Sequence, residues 1–107
     1  MKIGFVSYFL PERDGIAIYS GKLVAGLRKL GIEVVTIGTN NSDSDYKLDF
    51  NSLFLKEKLA EIIKKEKLDL LHIVYIAAWF QYALNFNLLR VFNLKIPIIT
   101  QLEEVQY

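Results

Sequence analysis

Apolar and polar positions follow two alternating periods along this chain. Short blocks dense in β-branched and aromatic residues stand between longer stretches with an apolar residue every three or four positions. Ile3 to Val6 is the first block, apolar in the manner of a strand buried on both faces. From Ile16 to Leu30 the positions Ile16, Tyr19, Leu23, Leu27 and Leu30 recur at helical spacing. Asp14 is placed to cap that helix and Gly31 to end it in a left-handed conformation. Glu33 to Gly38, with β-branched residues at four positions, predicts a second strand. Thr39 to Asp45 is polar and turn-prone, a surface loop. Tyr46 to Phe50 alternates weakly, as a short edge strand would. Asn51 or Ser52 can cap a further helix whose apolar face is Leu55, Leu59, Ile62 and Ile63. Leu68 to Tyr75 is the third strong strand and Ala77 to Phe92 a third helix. Lys95 to Thr100 is the fourth strand, with Pro97 near its start, where a missing amide costs least.

Four strands separated by three helices predict parallel pairing through right-handed crossovers. The fold class is therefore α/β: a Rossmann-like, three-layer parallel sheet. The strand order expected is second, first, third, fourth, with a short extra strand at the edge. The first crossover leaves strand one in one direction and the later ones in the other. The switch point then lies between the first and third strands, and ligands of open α/β sheets bind beyond the strand carboxyl ends at that point. Tyr8–Gly15 and Tyr75–Trp79 are the expected walls of that cleft. Backbone amides at the helix start beside Gly15 favour an anionic group there.

The rest of the composition narrows the field. A chain of 107 residues, 52% hydrophobic and 23% charged, holds one hydrophobic core, hence one domain over residues 1–107. A net charge of +1 implies no broad attraction to nucleic acid or an anionic membrane. Without cysteine there is neither a disulfide framework nor a thiolate metal site. No cofactor or metal is expected. No apolar run approaches the roughly 18 residues of a membrane span. Lys2 is followed by only four apolar residues before Ser7, unlike a secretory leader, so a cytoplasmic location is expected. Lysines alternate with glutamates from Lys56 to Lys67, which predicts a solvated helix face supported by ion pairs. The fourth strand is apolar and, left at an edge, would tend towards self-association.

Four segments in order resemble one family. They are Met1 to Gly15 with its Phe-Leu-Pro turn, Leu23 to Val34 leaving a helix through Leu30-Gly31, Lys67-Leu68-Asp69-Leu70-Leu71-His72, and Lys95-Ile96-Pro97-Ile98-Ile99-Thr100. Together they resemble the amino-terminal domain of GT-B glycosyltransferases, in the retaining group related to glycogen synthase and bacterial cell-surface sugar transferases. The resemblance implies transfer of a sugar from a nucleotide-sugar donor to a sugar or lipid-linked acceptor in the complete protein. It further implies that this is the acceptor-side half. The donor-binding domain with its Glu-rich motif is absent from these 107 residues, so the chain alone is expected to be inactive. Val74 and Leu102 stand where family members often carry histidine, and Asp14 replaces the first glycine of the family's pair.

The candidate substrate-binding residues are Arg13, Asp14, Gly15, Tyr75, Trp79 and Glu103; no catalytic residue is assigned. Arg13 can contact a phosphate or acidic sugar, or simply be solvated. Asp14 and Gly15 can line a ligand loop or only cap the helix. Trp79 sits nearer its helix start than Tyr82 or Phe86, which read as core. Glu103 follows the last strand, where a carboxylate would face the cleft or belong to a solvated tail. His72, between Leu71 and Ile73, reads as a buried structural histidine. The alternative function is a non-catalytic Rossmann-like binding or assembly module that has lost the chemistry. A flavodoxin-type phosphate loop is disfavoured by Phe9, Pro11 and Glu12, and a receiver domain by Ser7 and Tyr75 at the strand ends.

Overall fold

The structure, a computed structural model, describes residues 1–7, 9, 15–49, 54–76 and 94–103. Strand β1 (Lys2–Val6) leads to helix α1 (Gly15–Lys29), strand β2 (Glu33–Gly38) and the two-residue strand β3 (Tyr46–Lys47). Helix α2 (Leu55–Glu66), strand β4 (Leu70–Ile76) and strand β5 (Ile98–Glu103) follow. The five strands form one sheet in the order β3-β2-β1-β4-β5, and every pairing is parallel. The four main strands thus take the expected order, with β3 as the short edge piece beside β2.

The helices cover opposite faces. Val35, Ile37, Leu71 and Ile73 pack with Leu55, Leu59 and Ile62 of α2. Phe5, Val34 and Val74 pack with Val24, Leu23 and Leu27 of α1. The period-two alternation of the strands divides these residues between the two layers. Connections in opposite directions across the sheet lie on opposite faces when both have the same hand. The layout is Rossmann-like.

Helix α1 keeps Leu23 and Leu27 of the expected stripe against the sheet, but Tyr19 and Leu30 turn away from it. The fully buried residues of its sheet-facing side are Ala17, Ser20 and Val24, whereas Tyr19 is 45% and Leu30 78% exposed. The sequence pattern weights large apolar residues. Small side chains decide the facing, because they let the helix backbone sit close enough for the Ser20 hydroxyl to reach Ser7 at 2.6 Å. The exit of α1 follows the expectation. Gly31 has φ +84, Ile32 N–H donates to Leu27 O at 3.1 Å, and Gly31 N–H donates to Arg28 O at 3.0 Å. These are the two bonds of a Schellman motif. Helix α2 also ends in a left-handed residue, the non-glycine Lys67 at φ 54 and ψ 52, whose N–H donates to Ile63 O.

Two boundaries are corrected. The N-cap position of α2 is Phe54, with no side-chain cap bond, rather than Asn51 or Ser52, which lie outside the described residues. The last strand starts at Ile98 rather than Lys95 and runs to Glu103. Pro97 offers no amide and stands at the entrance, its carbonyl accepting from Leu71 N–H at 3.0 Å. Beyond Thr100 the strand continues because β4 supplies partners as far as Ile76, opposite Glu103. The helix expected over Ala77–Phe92 lies outside the described residues. Among the described residues no helix is long and apolar enough to cross a membrane.

Candidate functional site

The carboxyl edge of the sheet is built outward from β1. Val6 and Ser7 are buried, and Ser7 N–H donates to Ile37 O at 3.1 Å, carrying the β1–β2 ladder one residue past the strand. The Ser7–Ser20 hydroxyl pair then fixes the end of β1 to the first turns of α1. Phe9 folds back beneath that helix, 5% exposed, with its ring 6.0 Å from that of Phe5 at 58°. Phe5 in turn stacks on His72 at 4.6 Å and 8°. His72 is half-buried rather than buried. Its row across the sheet runs Thr36, Phe5, His72, Ile99, and Ile99 at the far end is half-exposed.

At the end of β2 the polar loop is an ordered turn. The Ser42 hydroxyl donates to Thr39 O at 2.7 Å and lies 2.8 Å from the Ser44 hydroxyl, which donates to Tyr46 O at 2.9 Å. Asp45 and Thr36 hold each other twice: Thr36 N–H donates to the carboxylate at 3.0 Å, and Asp45 N–H donates to the threonine hydroxyl at 2.8 Å. Arg28 donates to Val34 O at 2.8 Å and lies 3.5 Å from the same carboxylate. Gly38 is required here, since a Cβ would overlap the Ser42 hydroxyl. Between this loop and α1 runs an open cleft of about 630 Å³, lined by Phe9, Ala17, Gly21, Arg28, Thr36 and Asp45 among others.

The candidate residues are placed as follows. Gly15 is the first residue of α1. Tyr75 is the penultimate residue of β4, opposite Leu102, and Glu103 ends β5 opposite Ile76. Tyr75 and Glu103 thus lie by backbone position near the carboxyl ends of the adjacent strands β4 and β5, while Gly15 opens the helix that connects β1 to β2. Arg13, Asp14 and Trp79 lie outside the described residues. The cleft next to α1 opens on its β2 side, and sequence reasoning missed the lining residues Arg28, Thr36 and Asp45. Thr36 and Asp45 are nine positions apart, with no periodic signal connecting them.

The ionisable groups with displaced titration lie elsewhere. Tyr46 donates its hydroxyl to Glu66 at 2.8 Å, and Lys2 pairs with the same carboxylate at 3.1 Å. The tyrosine bond, and after it Lys2, hold Glu66 below its ordinary range, while the same bond raises Tyr46. This network ties β1, β3 and α2 together. Among the described residues no group of three or more His, Cys, Asp or Glu side chains is placed to hold a metal ion. No family model matches the chain, and no curated protein or solved structure does so either.

Proposed function

We propose that this chain is the acceptor-side, amino-terminal domain of a retaining GT-B glycosyltransferase, acting in the complete protein on a nucleotide-sugar donor and a sugar or lipid-linked acceptor. The observation that supports this reading is the change of winding direction at β1. Its neighbours β2 and β4 are reached through helices on opposite faces, and in open α/β sheets ligands bind beyond the strand carboxyl ends at such a change of direction, here those of β1 and β4. Helix α1 begins at Gly15, whose lack of a Cβ would let a ligand approach the helix amides. The Ser7–Ser20 pair and the Phe9 anchor hold the flanks of the β1–α1 connection still. In this reading the domain binds and orients the acceptor, and the donor-holding half supplies the nucleotide site. The four sequence segments that resemble the family name the substrate class.

The test is a titration of the isotope-labelled chain followed by amide chemical shifts. Saccharide acceptors should perturb Ser7, Gly15 and the end of β4, and nucleotide sugars should bind weakly without turnover. Perturbation confined to the amino edge of the sheet would overturn the site. Tight nucleotide-sugar binding, or turnover by this chain alone, would overturn the acceptor-side assignment. Failure of every saccharide to bind would favour the non-catalytic module.

A further inference from the structure

Strand β2 directs its backbone groups alternately to its two sides, as strands of a parallel sheet do. Ile37 O accepts from Ser7 N–H and faces β1, while Gly38 O accepts from Leu48 N–H and faces β3. Val34 and Thr36 share the outward parity of Gly38. Strand β3 is two residues long, opposite Ile37 and Gly38, and does not extend back beside Val34. Side chains fill the gap. Arg28 of α1 donates to Val34 O at 2.8 Å, and the Asp45 carboxylate accepts from Thr36 N–H at 3.0 Å. In the register of β3 that amide would pair with Ser44, so the carboxylate also sets where β3 begins. Arg28 and Asp45 are themselves 50% and 53% exposed, so this stretch of edge meets solvent behind them rather than another layer of the fold. From Val34 to Gly38 the strand is uncharged and rich in β-branched residues, an edge that templates pairing with further chains when its backbone groups are bare.

We propose that Arg28 and Asp45 close this edge: the guanidinium and the carboxylate stand in for the donor and acceptor of a neighbouring strand and keep a second copy of this chain from adding beside β2. The geometry suits that task better than charge pairing. The two side chains are 3.5 Å apart and half in solvent, and such a pair contributes little by itself. Each makes its shorter bond to the backbone instead, and both bonds go to the outward row. Asp45 is held in place from its own backbone, since its N–H donates to the Thr36 hydroxyl at 2.8 Å. A strand approaching from outside would have to displace both side chains and set its backbone against two fixed charges. Charged side chains and a very short edge strand are two of the devices that blunt sheet edges, and here they act on the same strand.

The test compares assembly with stability. Arg28→Ala combined with Asp45→Ala bares Val34 O and Thr36 N–H. Light scattering should show this variant passing to larger species at concentrations where the parent chain keeps a constant mass. Amide exchange at Thr36 should be faster than in the parent in dilute solution and slow again once the variant associates. Ser20→Ala breaks a buried hydroxyl pair away from this edge, so it loses stability and should keep the parent's mass. Asp45→Asn retains an oxygen for the Thr36 amide and should keep it too, which separates edge closure from charge repulsion. A double variant that holds the parent's mass up to its highest soluble concentration overturns the proposal. So does association of Ser20→Ala or Asp45→Asn to the same extent as the double variant, since lost stability or lost charge would then be the cause. Where the double variant fails to fold, the same comparisons made on Asp45→Ala alone decide.

Discussion

Replacing Lys67 by glycine should stabilise this protein. Lys67 closes α2 in the left-handed region at φ 54 and ψ 52, where its N–H donates to Ile63 O. The Leu68 amide donates to the same carbonyl at 3.0 Å, and Leu68 is then buried against α2. The backbone is fixed by these bonds, so the residue cannot relax out of the conformation. For a residue with a Cβ the left-handed region costs about 1–2 kcal/mol. Glycine escapes that cost but loses about 0.5–1 kcal/mol more conformational freedom on folding. The lysine side chain is exposed, and its charge near the helix carboxyl end contributes a few tenths of a kcal/mol at most. The balance favours Lys67→Gly by about 0.5–1 kcal/mol, or a rise of about 2–8 °C in Tm for a domain of this size. Thermal melts of three variants separate the causes. Lys67→Ala keeps the strained conformation and should match the parent. Gly31→Ala, at φ +84, should lose about 0.5–1 kcal/mol by the same balance in reverse. If Lys67→Gly is no more stable than Lys67→Ala, the reasoning from backbone strain fails.

Gly4→Ala should destabilise by about 1–3 kcal/mol through overpacking, because the new methyl would lie 2.6 Å from Leu68 Cδ1 and 2.7 Å from Leu71 Cδ2; denaturant titration reads this directly. Ser7→Ala or Ser20→Ala alone should each cost about 1–3 kcal/mol by leaving a buried hydroxyl unpaired, and the double variant should cost less than their sum; strict additivity would show that the 2.6 Å contact carries no coupling. Glu66 titrates below its ordinary range because Tyr46, and after it Lys2, favour its charged form. Its contribution is therefore present above the ordinary carboxylate range and lost as pH falls through the depressed folded value. Melts of the parent and Glu66→Gln should converge as pH drops through that window, and a constant gap would refute the linkage. Tyr46, raised by the same bond, should lose its contribution only as pH rises through its elevated folded value.

The period of the hydrophobic pattern determined most of the architecture. Ile3–Val6, Glu33–Gly38 and the Leu68–Tyr75 block are short, β-branched and apolar, and connecting them through helices allows little but a parallel sheet with β1 inside. Gly31 fixed the end of α1 for a reason confined to one residue, its freedom to adopt positive φ. Leu55, Leu59 and Ile62 pointed inward as their spacing required, because α2 has a strongly polar opposite face and only one way to bury its apolar stripe. Other features depended on distances across the fold. The rotation of α1 follows the small residues that permit close approach, so Ala17 and Ser20 face the sheet while Tyr19 and Leu30 remain in water. The start of β5 depends on where β4 offers a partner, and Lys67 adopts a conformation its side chain disfavours because Leu68 must reach the core. The Asp45–Thr36 clamp, the Arg28 tether and the cleft beside α1 join residues whose sequence separations match no local period. Local preference acts over a few residues and selects the elements. Their facing, their exact ends and the walls of any site are set by packing between elements, which tertiary structure alone decides.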